Sequence, residues 1–346
     1  MSAQVNQPVA RGSAFRAGWA RNLHGVSDLH APGTDSHHPT APPTASLGGP
    51  PRRPLVIAHR GSSAAFAENT RAAFLHALAE GADGVEVDVH LSRDRHVVCL
   101  HDATLERTSN GSGAVADHTL AQLRRLDFHS WKGARIPGHY GSASAQLLTL
   151  PELVELLAAA GRPVRLALEL KHPSPFGHEL EERTLSWLLG AGWDPETSRL
   201  GTVEISFMSF YAGSLQYLAP TVDTEYLCQL LTVVPADPVP SRFTIGPLSR
   251  AAVRATLRQA VADAERLIWE GRAGIAGPGV DYVRQNLADV KAWLASGRTL
   301  RVWTADRDED VDLLLRTGVQ QITTNLPARV LERVRRRERV LVAAGS

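Results

Sequence analysis

Gly84-Val-Glu-Val-Asp-Val-His90 places a valine at every second position. In an extended chain residues two apart share a face, so Glu86, Asp88 and His90 point one way and Val85, Val87 and Val89 the other. Two readings fit that alternation. In a closed barrel the valines pack beneath surrounding helices and the carboxylates line the inner wall. In an antiparallel sheet the acidic face meets water. Burying a carboxylate costs several kcal/mol unless a cation or hydrogen-bond donors offset it. Two close carboxylates also disturb each other's protonation. A divalent cation relieves both penalties and prefers oxygen ligands.

A second segment has the same grammar. Leu166-Ala-Leu-Glu-Leu-Lys171 sets Glu169 and Lys171 on one face and leucines on the other. Glu169 is a third carboxylate at the end of an apolar strand, and Lys171 beside it is a point charge suited to a phosphate oxygen. A simple Glu–Lys surface pair is the plainer alternative. Lysine is scarce here, occurring only at positions 132, 171 and 291.

Outward from these segments, apolar runs alternate with helical stretches. Strands are expected at Leu55–Ala58, Gly84–Leu91, Val97–Leu100, Val164–Leu170, Val203–Phe207, Val222–Leu227, Gly274–Ile275, Thr299–Thr304 and Gln320–Thr323. Helices are expected near Thr70–Glu80, Leu120–Leu126, Pro151–Ala160, Glu179–Leu189, Ser249–Glu270, Leu287–Ala295, Asp308–Thr317 and Ala328–Arg339. This alternation predicts an α/β protein with a parallel sheet, and a count near eight favours a TIM-type (β/α)8 barrel. No glycine-rich G-x-G-x-x-G turn follows the first strand, which argues against a dinucleotide-binding fold. Ala103–Leu148 and Val234–Leu248 exceed ordinary barrel connections and read as insertions. The expected domains are a disordered segment over 1–53, rich in Pro, Gly, Ser and His; a barrel over 54–337 with its insertion at about 103–148; and a tail over 338–346. The histidines at 24, 30, 37 and 38 read as loose tail residues.

The whole chain of 346 residues is 43% hydrophobic and 21% charged, and its 37 basic and 36 acidic residues leave a formal charge of +1. Such a balance attracts neither nucleic acid nor an anionic membrane, and no apolar run is long enough to cross a bilayer. Cys99 and Cys228 are too few for a disulfide framework. The absence of an apolar leader points to the cytoplasm.

His59 and His101 each follow an apolar strand, where the active face of a barrel enzyme is built. Two imidazoles near a metal suit acid and base duty. Glu68-Asn-Thr70 opens the first helix and, taken alone, is ordinary helix-start chemistry.

Together His59-Arg-Gly, Glu68-Asn-Thr, Gly84-Val-Glu-Val-Asp88, His101-Asp, Thr104-Leu-Glu-Arg-Thr108, Leu168-Glu-Leu-Lys171, Val302-Trp-Thr304 and Gly318-Val-Gln-Gln-Ile-Thr-Thr-Asn-Leu-Pro327 occur in order. In that order and spacing, over roughly residues 55–335, the chain resembles the glycerophosphodiester phosphodiesterase (GDPD) family. The resemblance implies a TIM-type barrel with a GDPD-type insertion after the second strand region. It implies metal-dependent hydrolysis of a small glycerophosphodiester to sn-glycerol 3-phosphate and an alcohol. Carried over residue by residue, it puts one divalent cation, Ca2+ or Mg2+, on Glu86, Asp88 and Glu169. It makes His59 and His101 the acid–base pair, read here as base and acid respectively. Arg60 and Lys171 would hold the phosphate, Glu68 would line the site near Arg60 or the metal, and Trp303 would form the wall that receives the glycerol end. Gln320 and Gln321 depart from the family, which more often has Asp after Gly-Val; the departure is expected to touch no catalytic position.

Three rivals remain. The same barrel could act on lysophospholipids as a phospholipase D-like enzyme or on other phospholipids, with Trp131 and Val234–Leu248 as an apolar entrance. It could bind phosphorylated ligands without turnover, although no histidine or carboxylate of the set is missing. The basic stretch Arg333–Arg339 could dock on anionic lipid, although a solvated helix end explains it too. A homo-oligomer is left open.

Overall fold

The computed structural model describes residues 53–237 and 247–345, side chains excepted at 247–248 and 341–345, all within the unit Pro51–Ser346. The expected disordered segment and its histidines, residues 1–52, lie outside these, as does most of Val234–Leu248. Arg53, at the start, is ordered by a bidentate pair with Asp83 at 2.7 Å.

The strands in chain order are β1 (Leu55–His59), β2 (Gly84–Leu91), β3 (Val97–Cys99), β4 (Val164–Leu170), β5 (Arg199–Leu200), β6 (Val203–Ser209), β7 (Leu227–Leu231), β8 (Ile275–Pro278), β9 (Thr299–Val302) and β10 (Gln321–Thr324). Between them run α1 (Arg71–Ala79), α2 (Leu120–Leu123), α3 (Leu150–Ala158), α4 (Glu179–Gly190), α5 (Ala212–Leu218), α6 (Pro247–Trp269), α7 (Val280–Gln285), α8 (Leu287–Ala295), α9 (Asp308–Thr317) and α10 (Pro327–Gly345). Eight strands, β1, β2, β4, β6, β7, β8, β9 and β10, pair in parallel, and β10 returns to β1 to close the barrel. The chain is a (β/α)8 barrel, as its alternation predicted.

The side-chain period sorts the core into two shells. Val85, Val87, Val89, Leu166, Leu168 and Leu170 face outward and pack with helical residues such as Leu153 and Leu157. Inside, Ile57, Ala167, Met208, Cys228, Leu230 and Ile275 fill the barrel below its mouth. Deeper still, Arg301 is 2% exposed; its guanidinium donates to Gln321 at 2.7 Å and to Ser206 at 2.8 Å. Gln321 is thus the acceptor for a buried cation, and Gln320 Oε1 accepts from the Leu300 N–H at 2.9 Å.

Several boundaries differ from expectation for local reasons. β3 is not a barrel strand: it runs antiparallel to β2, with Val89 opposite Cys99 and Leu91 opposite Val97. The seventh strand of the chain, β7, begins at Leu227, not Val222, because Asp223 caps a turn of 3-10 helix by accepting from the Glu225 N–H. The last helix runs through the expected tail as far as Gly345, since no Gly or Pro interrupts 338–344. The insertion packs Leu105, Val115, Leu123 and Phe128 against Val98 of β3 in a small separate core.

Candidate active site

The cross-strand register of β2 and β4 places Asp88 directly opposite Glu169, and that of β1 and β2 places His59 opposite Glu86. All four side chains therefore converge on the inner face at the C-terminal mouth of the barrel. One oxygen from each of Glu86, Asp88 and Glu169 lies within 4.8 Å of the others, and all three residues are buried. Facing them is a cavity of about 200 Å3 lined by His59, Arg60, Glu86, His101, Glu169, Lys171 and Trp303, together with Met208, Phe210, Leu230 and Thr323. Glu68 lines an adjoining cavity of about 320 Å3 that shares His59 and Arg60. His59, Arg60, Glu68, Glu86, Asp88, His101, Glu169, Lys171 and Trp303 all lie at this mouth.

The turn after β1 explains how Arg60 arrives. Arg60 and Gly61 have φ of 57° and 79°, and a Cβ on Gly61 would stand 2.6 Å from the Ala73 carbonyl carbon. Only glycine fits where the turn presses on α1, and the sharp reversal sends the Arg60 side chain back over the acidic group. Its Nε lies 3.0 Å from Asp88 Oδ2, its Nη1 donates to Glu68 at 2.8 Å, and its backbone N–H donates to Glu86 Oε2 at 2.9 Å. Lys171 Nζ reaches Glu169 at 2.8 Å and Asp88 at 3.1 Å.

The three residues Glu68-Asn69-Thr70 divide their work. Thr70 caps α1 by accepting from the Ala73 N–H, Asn69 donates to Asp88 Oδ2 at 2.9 Å, and Glu68 binds Arg60. The one segment thus caps a helix and bonds Asp88 and Arg60 at the mouth.

His101 reaches the site by an unexpected route. β3 folds back down along β2, so that the Leu100 N–H donates to the Asp88 carbonyl and His101 emerges beside the acidic group. The end of an antiparallel strand delivers it, not the end of a barrel strand. His90, on the same face of β2 as Asp88, stands with Nε2 3.0 Å from the His101 carbonyl and ties the returning strand in place.

The electrostatics follow from burial. Glu86 is held well above the usual carboxylate range by burial and by Asp88 beside it, and the same two causes lift Glu169 to about 7. Burial works against Asp88 as well, but Lys171 and Arg60 hold it below its ordinary value. Burial, aided by Arg60, pushes His59 down to about 4. His101 is lowered by burial, while Asp88 and the Asp102 carboxylate 2.5 Å from its Nδ1 pull the other way. Two carboxyls lifted together mark a group short of positive charge. Glu86 Oε1 is also buried with no hydrogen-bond partner. An all-oxygen donor set with an unsatisfied buried oxygen fits a hard divalent cation, and Glu86, Asp88 and Glu169 are the residues that could hold it.

Four residues of the mouth carry no mark in the linear sequence that assigns them there. Asn325 Oδ1 stands 2.8 Å from His59 Nδ1, and Asp306 accepts from the Asn325 Nδ2 at 2.6 Å. Arg107, from the insertion, donates to both Glu68 oxygens and both Asp102 oxygens at 2.6–2.9 Å. Lys132, also from the insertion, lines the adjoining cavity and donates to the Ser63 carbonyl at 2.7 Å. Asn325 and Arg107 sit inside quoted motifs, but no local pattern assigns them partners. The scarcity of lysine is the only signal for Lys132.

Fold and site together define a (β/α)8-barrel enzyme whose mouth sets buried carboxylates against two cations and two imidazoles. Residues 59–329 match the sequence profile described as the Glycerophosphoryl diester phosphodiesterase family. The chain is 37% identical over 279 residues to probable glycerophosphodiester phosphodiesterase 1 of Mycobacterium tuberculosis, covering 80% of this chain and 90% of that one. It is 28% identical over 284 residues to the glycerophosphodiester phosphodiesterase of Caldanaerobacter subterraneus, covering 82% and 98%. Its fold is similar to that of an Oleispira antarctica phosphodiesterase solved in complex with the product sn-glycerol-3-phosphate, with TM-score 0.59, 24% identity and coverage of 81% and 96%. The chain belongs to the glycerophosphodiester phosphodiesterase family, and its activity is that of a phosphoric diester hydrolase. Among the described residues no helix is long and apolar enough to cross a membrane.

Proposed function

We propose that this enzyme hydrolyses small glycerophosphodiesters to sn-glycerol 3-phosphate and an alcohol, with one divalent cation, Mg2+ or Ca2+, on Glu86, Asp88 and Glu169. The observation that carries the reading is the convergence of those three carboxylates within 4.8 Å beside Arg60, Lys171, His59 and His101. A phosphodiester resists attack because its anionic oxygens repel nucleophiles and its alkoxide is a poor leaving group. The cation, when bound, supplies Lewis-acid stabilisation of charge growing on the phosphoryl oxygens.

The chain's own groups do the rest. Arg60 and Lys171 bind the phosphate and neutralise charge on its oxygens. His59 is neutral near pH 7 with Nε2 unprotonated, so it accepts the proton of the nucleophile. His101 gives a proton to the leaving oxygen; Asp102, kept ionised by Arg107, favours its imidazolium form. Glu68 holds Arg60 in place. Trp303, its indole donating to the Gly277 carbonyl at 2.8 Å, walls the glycerol end.

A coupled assay of glycerol 3-phosphate release, run with and without EDTA, tests this. Release that stops on chelation and resumes with Mg2+ or Ca2+ is expected; unchanged release under thorough chelation would remove the cation from the mechanism.

One observation favours a second reading, action on lysophospholipids or other phospholipids. Phe210 and Leu230 of the catalytic cavity also line an apolar groove of about 180 Å3 with Leu231, Val233, Val234, Leu257 and Val261. Faster turnover of lysophosphatidylcholine than of glycerophosphocholine would establish it.

A further inference from the structure

Beyond Lys171 the chain continues as His172-Pro-Ser174 and opens a second cavity of about 440 Å3, lined by His172, Pro173, Ser174, His178, Phe210 and Tyr211. Phe210 is a wall of both cavities and stands edge-on to Trp303 with ring centroids 5.5 Å apart. The second cavity therefore adjoins the catalytic one, on the side of Lys171.

Its lining has a distinct chemistry. Phe210 and Tyr211 are 42% and 49% exposed, far more than large aromatics in a core. The His178 ring lies nearly parallel to Tyr217, 4.9 Å away at 12°, and to Tyr211, 6.0 Å away at 18°. Behind the rings Glu181 is fully buried; it accepts from the His172 Nε2–H at 2.6 Å, and its other oxygen lies 3.7 Å from His178 Nδ1, which is buried without a hydrogen bond. Although burial opposes ionisation, the bond from His172 keeps the Glu181 carboxyl below the usual range.

Among the described residues no Arg or Lys lines this cavity. An anionic alcohol would face the buried carboxylate, and a neutral polyol would gain nothing from the exposed aromatic faces. A primary ammonium requires acceptors within hydrogen-bond reach, and Glu181 is screened behind the rings. A quaternary ammonium needs no hydrogen bond; it needs aromatic faces and a negative field behind them.

We infer that this cavity is the alcohol subsite of the catalytic cleft and that it selects diesters whose alcohol carries a quaternary ammonium, with Tyr211 as the determining ring and Glu181 as the charge behind it. This rests on the reading of the cleft given above. The ammonium sits over Tyr211 and Phe210 while the phosphate lies on Lys171 and Arg60. Specificity then arises on the leaving-group side, away from the cation site.

The test is initial-rate kinetics of glycerol 3-phosphate release by the metal-loaded enzyme from glycerophosphocholine, glycerophosphoethanolamine and glycerophosphoglycerol. The wild type is expected to favour the choline diester in kcat/KM over the other two. Tyr211→Leu, which keeps bulk but removes the π face, is expected to lower that ratio about three- to tenfold, mainly through KM, and Tyr211→Phe to preserve it. Glu181→Gln should lower the ratio in the same sense. A wild-type ratio near one, or an unchanged ratio in Tyr211→Leu, overturns the inference. Turnover of none of the three diesters would instead defeat the cleft reading. The subsite is then judged by saturation-transfer NMR with choline: a transfer signal seen with the wild type and absent from Tyr211→Leu supports it, and no signal with the wild type overturns it.

Discussion

His59 Nδ1 and Asn325 Oδ1 lie 2.8 Å apart, although 266 positions separate the two residues. Asp306 accepts from Asn325 Nδ2 at 2.6 Å, so the amide is oriented with its oxygen toward the ring. His59 must then carry its proton on Nδ1, leaving Nε2 unprotonated 4.0 Å from Glu86. Asn325→Ala should leave the imidazole in place but let its tautomer drift. Steady-state kinetics should show kcat reduced on the order of tenfold, less than loss of the ring itself. A kcat equal to wild type would refute the tautomer argument.

Removing either imidazole is a larger change. His59→Ala and His101→Ala should each cost about 10²-fold or more in kcat, because proton transfer at the nucleophile or the leaving oxygen is lost. Near-normal turnover in His101→Ala would mean that the leaving oxygen finds its proton elsewhere.

The acidic group makes a direct demand on binding. Glu86→Gln and Glu169→Gln should each weaken Mg2+ or Ca2+ binding by at least about tenfold in isothermal titration. The folded state should survive, since burial and Asp88 already disfavour the ionised form of both carboxyls, and a neutral amide of the same shape replaces each. Unaltered affinity in both variants would place the cation elsewhere.

Arg107 joins Glu68, which holds Arg60, to Asp102, which holds His101. Cutting this clamp should disturb phosphate binding and acid catalysis together. Arg107→Met is expected to reduce kcat/KM about tenfold or more with little change in melting temperature, consistent with charge-assisted bonds worth about 1.5–3 kcal/mol. A loss confined to KM would show that only the Glu68 branch matters.

Acid should destabilise the chain partly through Glu181. Its folded carboxyl lies below the ordinary value of 4.5 despite burial, because His172 bonds its ionised form. The folded state therefore binds fewer protons than the unfolded state between the two values. The stabilisation is full above about pH 4.5 and is lost as pH falls through the folded value. The melting-temperature gap between wild type and Glu181→Gln should be widest near neutrality and should narrow below about pH 4.5. A gap independent of pH would show that the carboxylate charge contributes nothing to folding.

Much of the site was legible locally. A period of two is a property of any extended chain, so the inward direction of Glu86, Asp88, Glu169 and Lys171 could be read from flanking valines and leucines. The turn after His59 was marked by glycine, and the acidic and basic types named their own chemistry. The alternation of strand and helix likewise carried the barrel, because each element's apolar face is encoded within a few residues.

What the linear order left open depended on contacts between distant segments. The register that sets Asp88 against Glu169 is chosen by the packing of whole strands. The antiparallel return of β3 brings in His101, and closure of β10 on β1 carries Asn325 to His59. Arg107 finds Asp102 five residues away but acquires Glu68 only when the insertion folds over the mouth. Side-chain direction is a local consequence of backbone geometry, whereas a partner across the barrel is selected by the free energy of closing it, and no short stretch of sequence contains that information.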